Sequence, residues 1–267
     1  MNSADAQQAA GTLLTLAWML ALAAVYAPRI GLVAVGPQRT GEVEHVPRPA
    51  LWGLGAAVLL FTTQAGVVDA IADAPGRITA ADRPVLAWMV AHRTPEATAV
   101  MHAVSNWGGT VPTLALAAAA TAVLLVLRRW SDAVAVVVAT AGVPVLVNAF
   151  KDLYGRVRPP VETRLAVEPD LSLPSGHALG ATVIIGIVAA VVVRSLRSTA
   201  GRVAVLAAAV AAVGVISLSR LYLGVHWATD VLTSWTLGGA WLALCVTGLA
   251  CLTRRRSGRG SGHQPGQ

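Results

Sequence analysis

Charge is scarce in this chain. Only 12% of its 267 residues are Asp, Glu, Lys or Arg, while 55% are hydrophobic. A soluble domain carries about a quarter charged residues, so the shortage argues for a chain surrounded by lipid. Lysine is nearly missing: of the 20 basic residues all but Lys151 are arginine, a bias that fits a GC-rich bacterial genome. Cysteine is scarce too. Cys245 and Cys251 sit six apart in one apolar run, a spacing that suits neither a disulfide nor a metal-ligand pattern. Aromatic residues make up 5%, and no basic stripe is interleaved with them. The net charge of +7 therefore carries no nucleic-acid signal.

What the chain does have is long apolar runs. A helix needs about 20 such residues to cross the hydrocarbon core. Seven stretches come near that length: 11–35, 50–72, 110–128, 132–150, 178–194, 202–219 and 231–253. The first lacks a basic residue ahead of it, unlike a secretory signal, and is read as a retained span. The fold class is therefore all-α, a polytopic transmembrane helix bundle. Its expected units are an N-terminal span and connector (1–49), a membrane domain (50–253) and a disordered basic tail (254–267).

The arginines orient the bundle. With the N-terminus outside, the cytoplasmic segments at 36–49, 128–131, 195–201 and 254–267, with their flanks, hold eleven basic residues against eight on the other side. The bias is carried by short connectors and the tail, where it counts most. Residues 151–177 and 220–230 then share the outer face. The segment 73–109 is too polar to span; Val85, Leu86, Met89 and Val90 suit an interfacial helix. Trp52, Trp107, Trp130, Trp227 and Trp241 mostly fall near span ends, as an aromatic belt does.

Three polar islands stand at the ends of these runs, where charge is costly and usually functional. The first is Lys151 to Pro160. Lys151 and Arg158 are seven apart and share a face if the helix continues. Gly155 leaves room between them, and Pro159 and Pro160 stop the helix. Two cations over a gap suit a phosphate; a snorkelling pair is an equal alternative. The second is Pro174-Ser175-Gly176-His177, where Ser175 can cap a helix whose free N–H groups attract an anion. An ordinary capped helix start explains those four residues as well. The third runs from Ser219 and Arg220 to His226 and Asp230. The four-residue spacing puts His226 and Asp230 on one helical face, so that a carboxylate orients an imidazole as in catalytic triads; a structural pair is the alternative. Arg156 falls on another helical face from Arg158, and a role in solvation is expected for it. His45, His92, His102 and His263 match no motif.

Taken together, Lys-x6-Arg-Pro, Pro-Ser-Gly-His and Ser-Arg-x5-His-x3-Asp resemble the three-part signature of the type 2 phosphatidic acid phosphatase superfamily. Lys151, Arg158, Pro159, Pro174, Ser175, Gly176, His177, Ser219, Arg220, His226 and Asp230 match it throughout. The resemblance covers roughly 50–253 and implies a six-helix core, which the N-terminal span would supplement. It implies a plasma-membrane lipid phosphatase, active on the extracytoplasmic side upon a lipid phosphate or diphosphate. The roles it implies are His226 as nucleophile forming a phosphohistidine, Asp230 as its orienting group and His177 as acid then base. Lys151, Arg158, Arg220, Ser175 and Gly176 would bind the phosphate. No metal and no cofactor are implied. The alternatives are a lipid phosphotransferase on the same fold, a vanadate haloperoxidase (those are soluble), and a non-enzymatic transporter or scaffold. Transporters place charge at mid-membrane in broken helices, whereas these charges cluster at helix ends on one side. The oligomeric state has no signature.

Overall fold

The structure is a computed structural model that describes residues 48–73 and 79–260. Eight α-helices follow in order among them: α1 (Arg48–Asp73), α2 (Asp82–Ala91), α3 (Pro95–Trp107), α4 (Thr110–Val126), α5 (Trp130–Tyr154), α6 (Gly176–Ser195), α7 (Thr199–Tyr222) and α8 (Ala228–Gly260), with 3-10 turns at Thr79–Ala81 and Val161–Thr163. No strand occurs among the described residues. In lipid every backbone N–H and C=O has to be paired within the chain, and a helix does this locally.

Four helices are long and apolar enough to cross a membrane: α5, α6, α7 and α8 as far as Cys251. A fifth span arises if α3 and α4, bent by 46° at Gly108–Gly109, are taken together. The expected span at 110–128 is thus α4 alone, a helix of 17 residues, or about 25 Å at 1.5 Å per residue. The expected span at 50–72 corresponds to α1, whose apolar part is Gly53–Gln64. The expected span at 11–35 lies outside the described residues. Helix α8 continues through Gly260, past the 253 boundary read from the sequence, since a run of arginines is helix-compatible.

Helix α6 is the centre of the bundle, contacting α4, α5, α7 and α8, while α1 lies along α8. The core joins Val136, Ala139, Leu146 and Phe150 of α5 to Leu179, Val183, Ile184 and Ile187 of α6, with Leu237 and Leu249 of α8. Small residues let these helices approach, as membrane packing requires. Trp241 is drawn into the bundle rather than into an aromatic belt, because its indole donates to the Ala139 carbonyl at 3.0 Å. A Cβ on Gly142 would lie 2.5 Å from that ring. Gly142→Ala is therefore expected to destabilise the protein by about 1–3 kcal/mol through overpacking, seen as a lower melting temperature in detergent with unchanged KM in the surviving fraction.

The described part of the segment 73–109, from residue 79 onward, holds a 3-10 turn and two short helices. Met89 of α2 is buried against Tyr222, Leu223 and Val225, so one face of α2 is packed on the end of α7. Arg93 seals the junction by donating to the Thr163 and Tyr222 carbonyls at 2.8 and 2.7 Å.

Candidate active site

Lys151 occupies the last turn of α5. The helix ends at Tyr154, where Gly155 adopts φ +57°, a left-handed conformation that glycine takes without strain. The expectation that Lys151 and Arg158 share a continuous helical face, ended by Pro159, is corrected accordingly. The turn at Gly155, not helical periodicity, brings the two cations together. Both meet the same carboxylate: Lys151 Nζ and Arg158 Nη2 each donate to Asp170, and Arg158 Nε donates to the Asp170 carbonyl at 2.8 Å. Burial acts to raise the pKa of Asp170, but the hydrogen bonds from Lys151 and Arg158 outweigh it and hold the carboxyl below the usual range.

Arg220 lies in the last turn of α7 and is 2% exposed. Its Nη1 donates to Ser105 of α3 and its Nη2 to Glu168. Its buried Nε has no hydrogen-bond partner. Three cations from three segments thus converge, and two carboxylates of the 161–173 connector, Glu168 and Asp170, sit upon them.

His226 is not helical. It lies in the connector before α8, which begins at Ala228, so the His226–Asp230 spacing acts through a cap rather than through a helical face. Asp230 is in the first turn of α8. Its Oδ2 accepts the Trp227 N–H at 2.8 Å, capping the helix start. The same oxygen lies 3.5 Å from His226 Nδ1. That is the outer limit of a hydrogen bond, and Nδ1 has no other partner. On the opposite side of the ring, Nε2 is 3.0 Å from Arg158 Nη1, which also donates to the Val225 carbonyl at 2.7 Å. Burial dominates the titration of His226 and pushes its pKa below the ordinary histidine value. Asp230 opposes that shift, and Arg158 and Arg220 reinforce it. The imidazole is therefore neutral near pH 7, with its Nε2 lone pair aimed at the cation cluster.

Ser175 caps α6 as expected, accepting from the Ala178 N–H at 3.4 Å, and its own N–H donates to Ser234 at 2.8 Å. Ser175 is fully buried, whereas Gly176 and His177 line a cavity of about 940 Å³. That cavity also receives Lys151, Arg158, Glu168, Asp170 and His226. From this charged end it descends between α4, α5 and α6 along Leu114, Ala118, Leu125, Val137, Val143 and Ile184. One end of the cavity is ionic, and the rest is a largely apolar trough between helices.

Sequence reasoning missed four residues that the fold delivers. Ser105 and Asp82 come from α3 and α2, and Glu168 and Asp170 from a connector with no readable pattern. It also set aside Arg156, which the structure places behind Asp230, between that carboxylate and Asp82. Arg156 Nη1 donates to Asp230 Oδ1 and to Thr229 Oγ1, and its Nη2 donates to Asp82 Oδ2 at 2.6 Å. With the helix ended at Tyr154, helical spacing no longer separates it from Arg158. Among the described residues, no group of three or more His, Cys, Asp or Glu side chains is placed to hold a metal ion.

Residues 132–252 match the model of the PAP2 superfamily. Over those residues the chain is similar to that superfamily. The chain resembles phosphatidylglycerophosphatase B of Bacillus subtilis (strain 168), with 29% identity over 163 residues, or 60% of this chain and 79% of that protein. The fold resembles the crystal structure of a transmembrane PAP2-type phosphatidylglycerolphosphate phosphatase from Bacillus subtilis. The TM-score is 0.67 at 25% identity, covering 75% of this chain and 96% of the other. The chain is accordingly a multi-pass membrane protein and a lipid phosphatase, PAP2-like over 132–252.

Proposed function

We propose that this PAP2 phosphatase hydrolyses a glycerolipid phosphomonoester of the phosphatidylglycerophosphate type, through a phosphohistidine on His226, at the extracytoplasmic face. The observation that carries this reading is the placement of His226 Nε2: it faces Arg158 at 3.0 Å, beside Lys151, at the mouth of an apolar trough. The substrate phosphate would take the position now held by Asp170 and Glu168, with its acyl chains along α4, α5 and α6. Similarity to phosphatidylglycerophosphatase B supports the choice of headgroup.

In the first step the Nε2 lone pair attacks phosphorus and the P–O bond to the lipid breaks. His177 gives its proton to the leaving oxygen. Asp230 stabilises the charge that develops on His226. In the second step His177 takes a proton from water, the hydroxyl oxygen attacks phosphorus and the P–N bond breaks, releasing inorganic phosphate. Lys151, Arg158, Arg220 and the Gly176 N–H hold the phosphoryl oxygens throughout, supplying the charge stabilisation on which phosphoryl transfer depends.

The test is a panel of phosphatidylglycerophosphate, phosphatidate and polyprenyl diphosphates offered to purified protein in detergent, with alkaline-quench trapping of labelled enzyme. Phosphatidylglycerophosphate should turn over fastest and label the protein with an acid-labile, base-stable bond. Faster turnover of a polyprenyl diphosphate would overturn the headgroup assignment, and absence of such a label would overturn the phosphohistidine.

The connector carboxylates compete with substrate in this reading. The Asp170 side chain is 51% exposed against 9% for Lys151, so Asp170 can withdraw to water while the cation stays. Asp170→Asn should lower KM several-fold, on the order of the ~1 kcal/mol upper range of an exposed ion pair, with kcat little changed. A raised KM would show that Asp170 assists binding instead.

A further inference from the structure

The catalytic reading uses Asp230 to orient His226, yet an Asp230 Oδ2 shared with the Trp227 N–H at 2.8 Å and with Ser172 Oγ needs something to fix its rotation. The other oxygen, Oδ1, is held by Arg156 Nη1. The same guanidinium turns its Nη2 to Asp82 Oδ2 at 2.6 Å, and its Cζ lies 5.9 Å from the centre of the Trp227 ring. Asp82 is 3% exposed and itself anchored. Its Oδ1 accepts the Thr229 N–H at 2.9 Å, and its Oδ2 accepts the Thr229 hydroxyl at 2.8 Å. Thr229 Oγ1 in turn lies 2.7 Å from Arg156 Nη1. The network is closed: one arginine between two buried carboxylates, clamped to the first turn of α8.

We propose that Arg156 and Asp82, from the α5–α6 connector and from α2, are positioning residues that fix Asp230 beneath His226 and set the charge it presents. This inference rests on His226 and Asp230 being the catalytic pair. The physical argument is one of compensation. A lone buried arginine beside Asp230 would neutralise it and weaken its hold on the imidazolium that forms when phosphorus is bonded. A second carboxylate on the far side of the guanidinium offsets that neutralisation, so Asp230 keeps its negative charge while its orientation is fixed. A fork that bonds two acids at once requires arginine, since lysine is a point charge. The arrangement also gives α2 a purpose beyond packing: it carries Asp82 into the site.

The charged groups facing His226 from every side are Asp230 of α8, Arg158 and Asp170 of the α5–α6 connector, Glu168 beyond Arg158, Lys151 of α5, Arg220 of α7 and His177 of α6. Arg156 and Asp82 act on His226 only through Asp230. That predicts opposite signs for their removal. Arg156→Met leaves Asp230 less neutralised, so protonated His226 is favoured and the acid limb of kcat/KM moves to higher pH. Asp82→Asn leaves Arg156 acting on Asp230 alone, so the acid limb moves to lower pH. Both variants should lose kcat, about 10- to 100-fold, with KM within threefold, because Lys151, Arg158 and Arg220 still hold the phosphate. Arg156→Lys should restore part of the charge effect on the acid limb but little of kcat.

The experiment measures pH profiles of kcat and KM for Arg156→Met, Arg156→Lys, Asp82→Asn and His226→Ala, with melting temperature in detergent for each. Opposite displacements of the acid limb in folded protein, with kcat lost and KM kept, are the expected result. Unchanged profiles and kcat in folded Arg156→Met and Asp82→Asn would overturn the inference, as would losses that track melting temperature with no displacement of the acid limb in Arg156→Met or Asp82→Asn. Activity surviving in His226→Ala would instead overturn the catalytic pair on which the inference rests, so the two failures are told apart.

Discussion

Replacing His226 by alanine should abolish turnover of every phosphorylated lipid, a loss of at least about 10⁴-fold, as when a catalytic nucleophile is removed from a preorganised site. The size follows from geometry. His226 Nε2 is the imidazole nitrogen directed at the cation cluster, 3.0 Å from Arg158 Nη1, on the wall of the cavity. The loss should fall on kcat. Arg158 keeps its bonds to the Val225 carbonyl and to Asp170 in the variant, so phosphate binding survives and KM changes little. Titration of inorganic phosphate against the folded variant would check this. Intact turnover in that variant would sink the nucleophile assignment. In the wild type, kcat/KM should fall on the acid side as His226 gains a proton and its lone pair is lost. Because burial lowers the pKa of this histidine, that limb should lie below the ordinary histidine value, about 6.5, and the enzyme should stay active in mildly acidic medium.

His177→Ala should show a different signature. General acid catalysis contributes about 10²–10⁴-fold, but only where the leaving oxygen needs a proton. A lipid alkoxide needs one and a nitrophenolate does not. The variant should therefore lose two or more orders of magnitude on a phospholipid and several-fold at most on an aryl phosphate. The position of His177 supports the assignment. It sits in the first turn of α6 on the cavity wall shared with His226, and a Cβ on Gly109 would lie only 3.6 Å from its Nε2. Equal losses on both substrates would contradict the proton-donor role. Excess imidazole, small enough to enter the cavity, should rescue the phospholipid reaction in part.

The helix bundle was legible because its signal is local. Runs of about 20 apolar residues announce α5, α6, α7 and α8, and the four helices that meet the length and hydropathy of a span lie on those runs. The run at 110–128 was harder to read, since the break at Gly108–Gly109 joins α4 to a neighbour at 46°, and two glycines alone do not say whether a helix bends or ends. The spacings join residues that the fold does bring near one another, but not along a helix. Lys151 and Arg158 meet across a left-handed turn at Gly155, and His226 meets Asp230 across a helix cap. Seven and four residues are helical intervals only where a helix exists, and neither pair lies within one.

The amino-acid sequence by itself determined the membrane character, the superfamily and the three segments that carry Lys151, Arg158, His177, Arg220, His226 and Asp230. Each of those features is written in neighbouring residues, so composition and spacing suffice to read it. Only the tertiary structure decided what those residues face: Asp170 and Glu168 upon the cations, Ser105 on Arg220, and Arg156 with Asp82 behind Asp230. Asp82 and Thr229 are 147 residues apart in the chain and bonded at 2.8 Å. A charge pairs through space with whatever the packing of helices brings within reach, and a carboxylate on α2 bears no mark of the arginine it will meet.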